Sequence, residues 1–232
     1  MAANFGFTLF VAIQIAAPIS GGHLNPAVSL AKFLRADMSL LRWVLYTAAQ
    51  LAGACAGSGI VHAYQQQLYG QEGGGCNGVN PLLVSQIGEE AVGIGCAAEL
   101  IGTFFLVLTV LVMTDPAAVA SSPSSAALTP FTVGMSVFVI HMSLVPITGC
   151  GVNPARSFGP AAVNGCWANQ WIYWVGPYCG AILAVFAHQL LYRNSYMKAV
   201  SDFPEGEIVT TPRPGESDPK LSFKLPEDSI AA

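Results

Sequence analysis

The sequence predicts an all-α membrane protein, with five full spans and two re-entrant half-helices built as inverted repeats. Three observations predict it. Hydrophobic residues fill 53% of the 232 positions and charged residues only 9%, against roughly a quarter charged in a soluble domain. Apolar windows at 2–17, 40–63, 90–113, 128–147 and 171–192 approach or exceed the roughly 20 residues that cross a hydrocarbon core of about 30 Å. A pattern of Pro-Ile-Ser/Thr-Gly, three variable residues and Asn-Pro-Ala occurs twice. A soluble enzyme, a nucleic-acid binder and a disordered chain are all poor readings of such a sequence.

The first window is the shortest and begins at Met1, as though a segment ahead of it were missing. It has no charged residues before its apolar stretch, so it does not read as a signal peptide. Residues 18–24 follow as an irregular lead into Asn25-Pro26-Ala27. Asn is a preferred N-cap and Pro a preferred first helical residue, so a helix starts here. The run to Lys32 and Arg35 is about ten residues, or about 15 Å, half the hydrocarbon thickness. The second span follows Arg42. Gly-rich 70–78 and Pro/Ser/Ala-rich 115–126 read as loops between later spans. Asn153-Pro154-Ala155 repeats the first motif 128 residues on and starts a second half-helix, with 146–152 leading into it.

Charge divides the chain. Residues 1–199 carry six Lys/Arg and six Asp/Glu, whereas 200–232 carry three and seven, which supplies the whole net charge of −4. The body 1–199 is therefore the membrane domain, its repeats covering about 1–63 and 90–193, and 200–232 reads as an acidic, Pro-rich disordered tail. Lys32, Arg35 and Arg42 precede the second span, and Arg193 and Lys198 follow the last. Four spans separate the two clusters, which places them on one face, while loops 64–88 and 163–170, on the opposite face, contain neither Lys nor Arg. This positive-inside pattern makes the tail cytoplasmic.

Three spans lie between the repeats, so the copies run in opposite directions, the mark of an inverted repeat. Their half-helix N-termini, each with partial positive charge, then meet near the midplane. Irregular backbone at that depth survives only where it lines an aqueous cavity or is buried in protein. The sequence asks for a pore with carbonyls along its loops, two Asn amides at its centre and two dipole ends repelling cations and protons. Arg156 is the one Lys or Arg read as lying within a span or re-entrant segment, which makes it a candidate site residue. Cys55, Cys76, Cys96, Cys150, Cys166 and Cys179 form no CxxC pair and have no His at ligand spacing, so most of them read as small apolar packing residues. No metal, cofactor, carboxylate pair or nucleophile–base pair is indicated, and an enzyme is the weakest reading.

With these motifs assembled, residues 1–193 resemble the aquaporins of the major intrinsic protein family, and most closely the plant and algal plasma-membrane type. The stretches Gly73-Gly74-Gly75-Cys76-Asn77 and Ala98-Glu99-Leu100-Ile101-Gly102-Thr103-Phe104, and the run from His141 through Thr148-Gly149 to Arg156-Ser157-Phe158-Gly159, carry the likeness. The resemblance implies a right-handed helical bundle, passive single-file water conduction and tetramers of this chain or of the chain with homologues. It places His141, Cys150 and Arg156 at a selectivity filter, with Cys150 a candidate for mercurial block. It has Glu99 accept hydrogen bonds from the second re-entrant loop. Gln50 either contacts the first loop in the same way or bonds helix to helix, and His23 presents a carbonyl to the pore. Ser157, Ala161, Tyr173 and Trp174 match the water type rather than the glycerol type, and Leu128 matches an apolar plug.

The chain also departs from the family. Six spans are usual, and the first is absent here, together with an aromatic filter residue and the Glu that would mirror Glu99. A truncated chain whose pore lacks one wall is the corresponding expectation. Ser124 stands where the plant type has a pH-sensing His, and Ser121, Ser122, Ser124 and Ser125 are candidate phosphorylation sites in what reads as a flexible linker. The alternatives to a water channel are a facilitator of small neutral solutes such as glycerol, hydrogen peroxide or ammonia, and a non-conducting partner of full-length homologues.

Overall fold

The computed structural model describes residues 1–201 apart from 72, 123, 125 and 126. Its helices, in chain order, are α1 (Ala2–Ser20), α2 (Pro26–Leu34), α3 (Leu40–Tyr64), α4 (Gln66–Gln71), α5 (Pro81–Ile87), α6 (Glu90–Met113), α7 (Pro116–Ser121), α8 (Thr129–Thr148), α9 (Pro154–Asn164) and α10 (Ile172–Ser201). There is no strand among the described residues. Five helices are long and apolar enough to cross a membrane, namely α1, α3, α6, α8 and α10 through Tyr192. They fall on the five apolar windows. Both regions read as loops contain short helical pieces, α7 in one and a 3₁₀ turn over Gly73–Gly75 in the other. Helix α10 runs past 199 to Ser201, and the remainder of the predicted tail, like Ser125, lies outside the described residues.

Packing repeats the symmetry of the sequence. Helix α1 packs along α8, and each half-helix crosses to the other repeat, α2 against α10 and α9 against α3. Close crossing requires small residues, because lipid tails are as apolar as Leu and supply no hydrophobic drive between helices. A Cβ on Gly134 would stand 2.6 Å from the Gly6 carbonyl oxygen, and one on Gly159 would stand 2.5 Å from that of Ala54. The buried cluster joins Leu106, Val107 and Leu111 of α6 to Val133 and Val137 of α8 and Ala181 and Ala184 of α10. Large apolar residues such as Ile19, Ile60, Phe105 and Leu190 stay exposed, as lipid-facing positions do.

The bundle is lopsided. Helix α6 buries nine of its residues against α8 and α10, whereas α3, 25 residues long, buries none. At the end rich in Lys and Arg, ion pairs join elements. Lys32 Nζ donates to Thr114 Oγ1 at 2.8 Å, and Asp115 lies 3.6 Å from Arg35 and 3.4 Å from His188 Nε2. Lys32 belongs to the last turn of α2, which corrects the reading of Arg156 as the sole cation on a re-entrant segment.

Replacing Gly134 with Leu is expected to lower stability in detergent by about 1–3 kcal/mol through forced separation of α1 and α8. Gly53→Ala, which meets nothing within 4 Å, should not lower the thermal midpoint.

Candidate functional site

The two half-helices begin in matching ways. Asn25 (φ −156°, ψ 123°) and Asn153 (φ −154°, ψ 108°) are extended N-caps, each followed by Pro at the first helical position. The Asn25 Oδ1 accepts from the Ala27 N–H at 2.8 Å, and the Asn153 Oδ1 from the N–H groups of Ala155 and Arg156 at 3.0 and 3.3 Å. Each carboxamide nitrogen donates into the other repeat, Asn25 Nδ2 to the Val152 carbonyl and Asn153 Nδ2 to the Leu24 carbonyl, both at 2.9 Å. Leu24 and Val152 hold left-handed backbone, φ 51° and 45°, a strained conformation for branched side chains. That turn aims each carbonyl at the opposite Asn. An Asn amide has two N–H groups, so one on each side remains for a molecule between the helix ends.

The loops ahead of these caps are held differently. Glu99, fully buried, accepts from Thr148 Oγ1 at 2.6 Å and from the Gly151 and Val152 N–H groups at 2.8 and 2.6 Å. Tyr173 adds a bond from its hydroxyl to the Thr148 carbonyl at 2.8 Å. In the first loop, Ser29 Oγ lies 3.1 Å from His23 Nδ1 and accepts from Gln50 Nε2 at 3.1 Å. Gln50 therefore reaches the half-helix, and the loop only through Ser29 and His23. The His23 and Leu24 amides, counterparts of Gly151 and Val152, find no acceptor among the described residues.

Three side chains converge on one side of the Asn pair. His141, 2% exposed, bonds through Nδ1 to the Val137 carbonyl at 2.8 Å. A carbonyl only accepts, so Nδ1 carries the proton and Nε2 is left as an acceptor, without a partner among the described residues. Arg156 Nη1 donates to the Gly75 carbonyl at 2.7 Å, and its Cζ lies 5.0 Å from the centre of the Phe5 ring. Phe5 stacks on His141 with centroids 4.4 Å apart. The sequence expects no aromatic residue here, the first span being absent, yet Phe5 of α1 stands beside both His141 and Arg156. Its signal was a stripe at four-residue spacing, Phe5, Leu9, Ile13 and Ala17, which lines one cavity throughout.

That cavity, of about 480 Å³, runs from Phe5, His141 and Arg156 past Asn25 and Asn153 to Lys32, Thr114 and Thr129. His141 and Thr129 lie about 18 Å apart along α8 at the usual rise. A second groove, of about 510 Å³, lies between Tyr46, Gln50 and Ala54 of α3 and the same Asn153 and Arg156. Asn153 and Arg156 thus also face the poorly covered side of α3.

Other predicted residues lie farther back. Cys150 is fully buried, and its neighbours Gly151 and Val152 line the cavity. Leu128 is exposed at the start of α8 and also lies outside the lining. Ser157, Ala161 and Tyr173 are buried behind the second loop, and Trp174 packs edge-on to Phe158. Two of the six cysteines are not packing residues. Cys76 and Cys166 are joined in a disulfide, a pairing that spacing alone does not reveal.

Glu99→Gln, which exchanges one acceptor oxygen for an amide, should destabilise the second loop by about 1–3 kcal/mol. Hydrogen exchange should quicken at the Gly151 and Val152 amides and hold its rate at Ala27.

Comparison with known proteins agrees with this geometry. The family model described as major intrinsic protein matches residues 1–188. The chain is 45% identical over 202 residues to the probable aquaporin PIP2-6 of Arabidopsis thaliana, covering 84% of this chain and 66% of that protein. It is 44% identical over 202 residues to the aquaporin PIP2-1 of the same plant, covering 86% and 68%. The chain thus spans about two thirds of the length of these curated relatives. The aquaglyceroporin from Plasmodium falciparum shares the fold, with a TM-score of 0.70 at 23% identity over 86% of this chain and 83% of that one. The chain belongs to the major intrinsic protein family.

Proposed function

We propose that the chain is a passive water channel of a plasma membrane, its C-terminal segment cytoplasmic and its subunits assembled as tetramers. The observation that carries the reading is the pair of head-to-head Asn caps on one long cavity. A water molecule between the caps accepts from the free N–H of each Asn, and the two helix ends raise an electrostatic barrier to cations. No step on this path makes or breaks a covalent bond, which agrees with a channel rather than an enzyme.

Selection against larger solutes falls to Phe5, His141 and Arg156. Three bulky groups around one opening, two of them with unused polar atoms, suit a molecule that donates and accepts within a small radius. The His141 Nε2 and the Arg156 Nε–H, each unpartnered among the described residues, offer an acceptor and a donor to the same water. Ser157, Ala161, Tyr173 and Trp174 act indirectly in this reading, by setting the packing behind the loop that carries Arg156.

The test is stopped-flow light scattering on proteoliposomes containing this chain. Water permeability well above that of empty liposomes, without glycerol permeability, is the expected result. His141→Ala should raise glycerol permeability about tenfold, equivalent to lowering the barrier by about 1.4 kcal/mol, with water flux retained. Water flux equal to that of empty liposomes would overturn the channel reading for this chain.

A further inference from the structure

We propose that the Cys76–Cys166 disulfide is a specificity-determining positioning element, which fixes the Gly73–Gly75 turn so that the Gly75 carbonyl holds the Arg156 guanidinium at the constriction. The inference rests on Phe5, His141 and Arg156 being the solute filter.

The disulfide joins cysteines 90 residues apart. Cys76 directly follows Gly75, whose carbonyl accepts the Arg156 bond, and Cys166 lies two residues beyond α9, the half-helix that carries Arg156. Donor helix and acceptor turn are therefore closed into one ring by a covalent bond on one side and the hydrogen bond on the other. A second contact reinforces the ring. Asn164, the last residue of α9, donates through Nδ2 to the Gly74 carbonyl at 3.0 Å and lies 3.2 Å from the Tyr69 hydroxyl. Gly74 is buried in left-handed backbone, φ 61°, and a Cβ there would stand 3.0 Å from the Asn164 amide, so a side chain at this position would push on the contact.

Arg156 depends on this turn for its one hydrogen-bond acceptor among the described residues. Among the described residues its guanidinium has no carboxylate within ion-pair distance and one hydrogen-bond acceptor, the Gly75 carbonyl. Its other support is the face of Phe5. The turn has no side chains of its own with which to anchor itself, so a shift of Gly75 passes to the guanidinium. Both cysteines lie in segments without Lys or Arg, opposite the basic clusters, the side on which an oxidising compartment would keep the bond.

The experiment compares urea and water permeability of proteoliposomes before and after treatment with dithiothreitol. Each dithiothreitol delivers two electrons and two protons to the Cys76–Cys166 bond, giving two thiols, and closes to its own cyclic disulfide. Reduction is expected to raise the ratio of urea to water permeability about threefold to tenfold, the factor produced by weakening one hydrogen bond. Reoxidation should restore the ratio. Arg156→Ala, and separately Cys76→Ser with Cys166→Ser, should show ratios that dithiothreitol does not change. An unchanged ratio in the wild-type chain, or an equal change in Arg156→Ala, would overturn the proposal in favour of a disulfide that only stabilises the loops. Hydrogen exchange supplies a readout independent of flux, since reduction should hasten exchange across 73–78, and protection there that ignores reduction also overturns the proposal. Absence of water flux in the oxidised chain, with exchange still redox-sensitive, would count against the channel reading and leave the clamp in place.

Discussion

Two asparagine side chains, each capping its own half-helix while donating to a carbonyl of the other repeat, set the constraint around which the bundle is arranged. In hydrocarbon an unpaired backbone group is costly, yet a helix that starts at mid-membrane exposes several N–H groups. The carboxamide oxygens satisfy the nearest of these, and the nitrogens tie the two starts together at 2.9 Å in both directions. Once the caps face each other, much else is fixed. Leu24 and Val152 must turn left-handed to present their carbonyls, the half-helices must run apart toward opposite faces, and the spans must cross closely enough to enclose them.

The two repeats meet this constraint with unequal means. The second loop has a buried carboxylate, a threonine hydroxyl and a tyrosine hydroxyl directed at it. The first relies on a relay of His23, Ser29 and Gln50, with a tyrosine bond from Tyr46 to the Ser20 carbonyl. The difference follows from which helices are present. Glu99 comes from α6, packed between α8 and α10, and no helix among the described residues stands in the equivalent place beside α3.

Much of this was legible in the sequence, and the reasons are physical. Lipid forces spans into long apolar runs, so five of them were visible by length alone. The caps were visible because Asn-Pro is a local signal for a helix start, and its repetition gave their relation. Glu99 and Arg156 stood out because charge in a membrane needs a purpose. Phe5 did not, since an aromatic residue in an apolar helix looks the same whether it faces lipid or a cavity. The Cys76–Cys166 pairing was equally silent, because the two loops meet through contacts 81 and 90 residues apart, Arg156 on Gly75 and Asn164 on Gly74. The small residues at Gly134 and Gly159 were likewise unremarkable until the distances to opposing carbonyls were known. Cys150 is buried at a left-handed turn, φ 54°, and Leu128 is exposed at a helix start, placements that their positions in the chain do not specify.

The unequal fastening of the loops gives the conduit unequal mechanical compliance along its length. One loop resembles a beam clamped at several points, and the other a beam resting on a single relay. The half of the cavity nearer Lys32 is therefore bounded by the more lightly held loop, and the half nearer Arg156 by the more firmly held one. The two halves of the cavity, alike in their Asn caps, thus differ in how stiffly their walls are built.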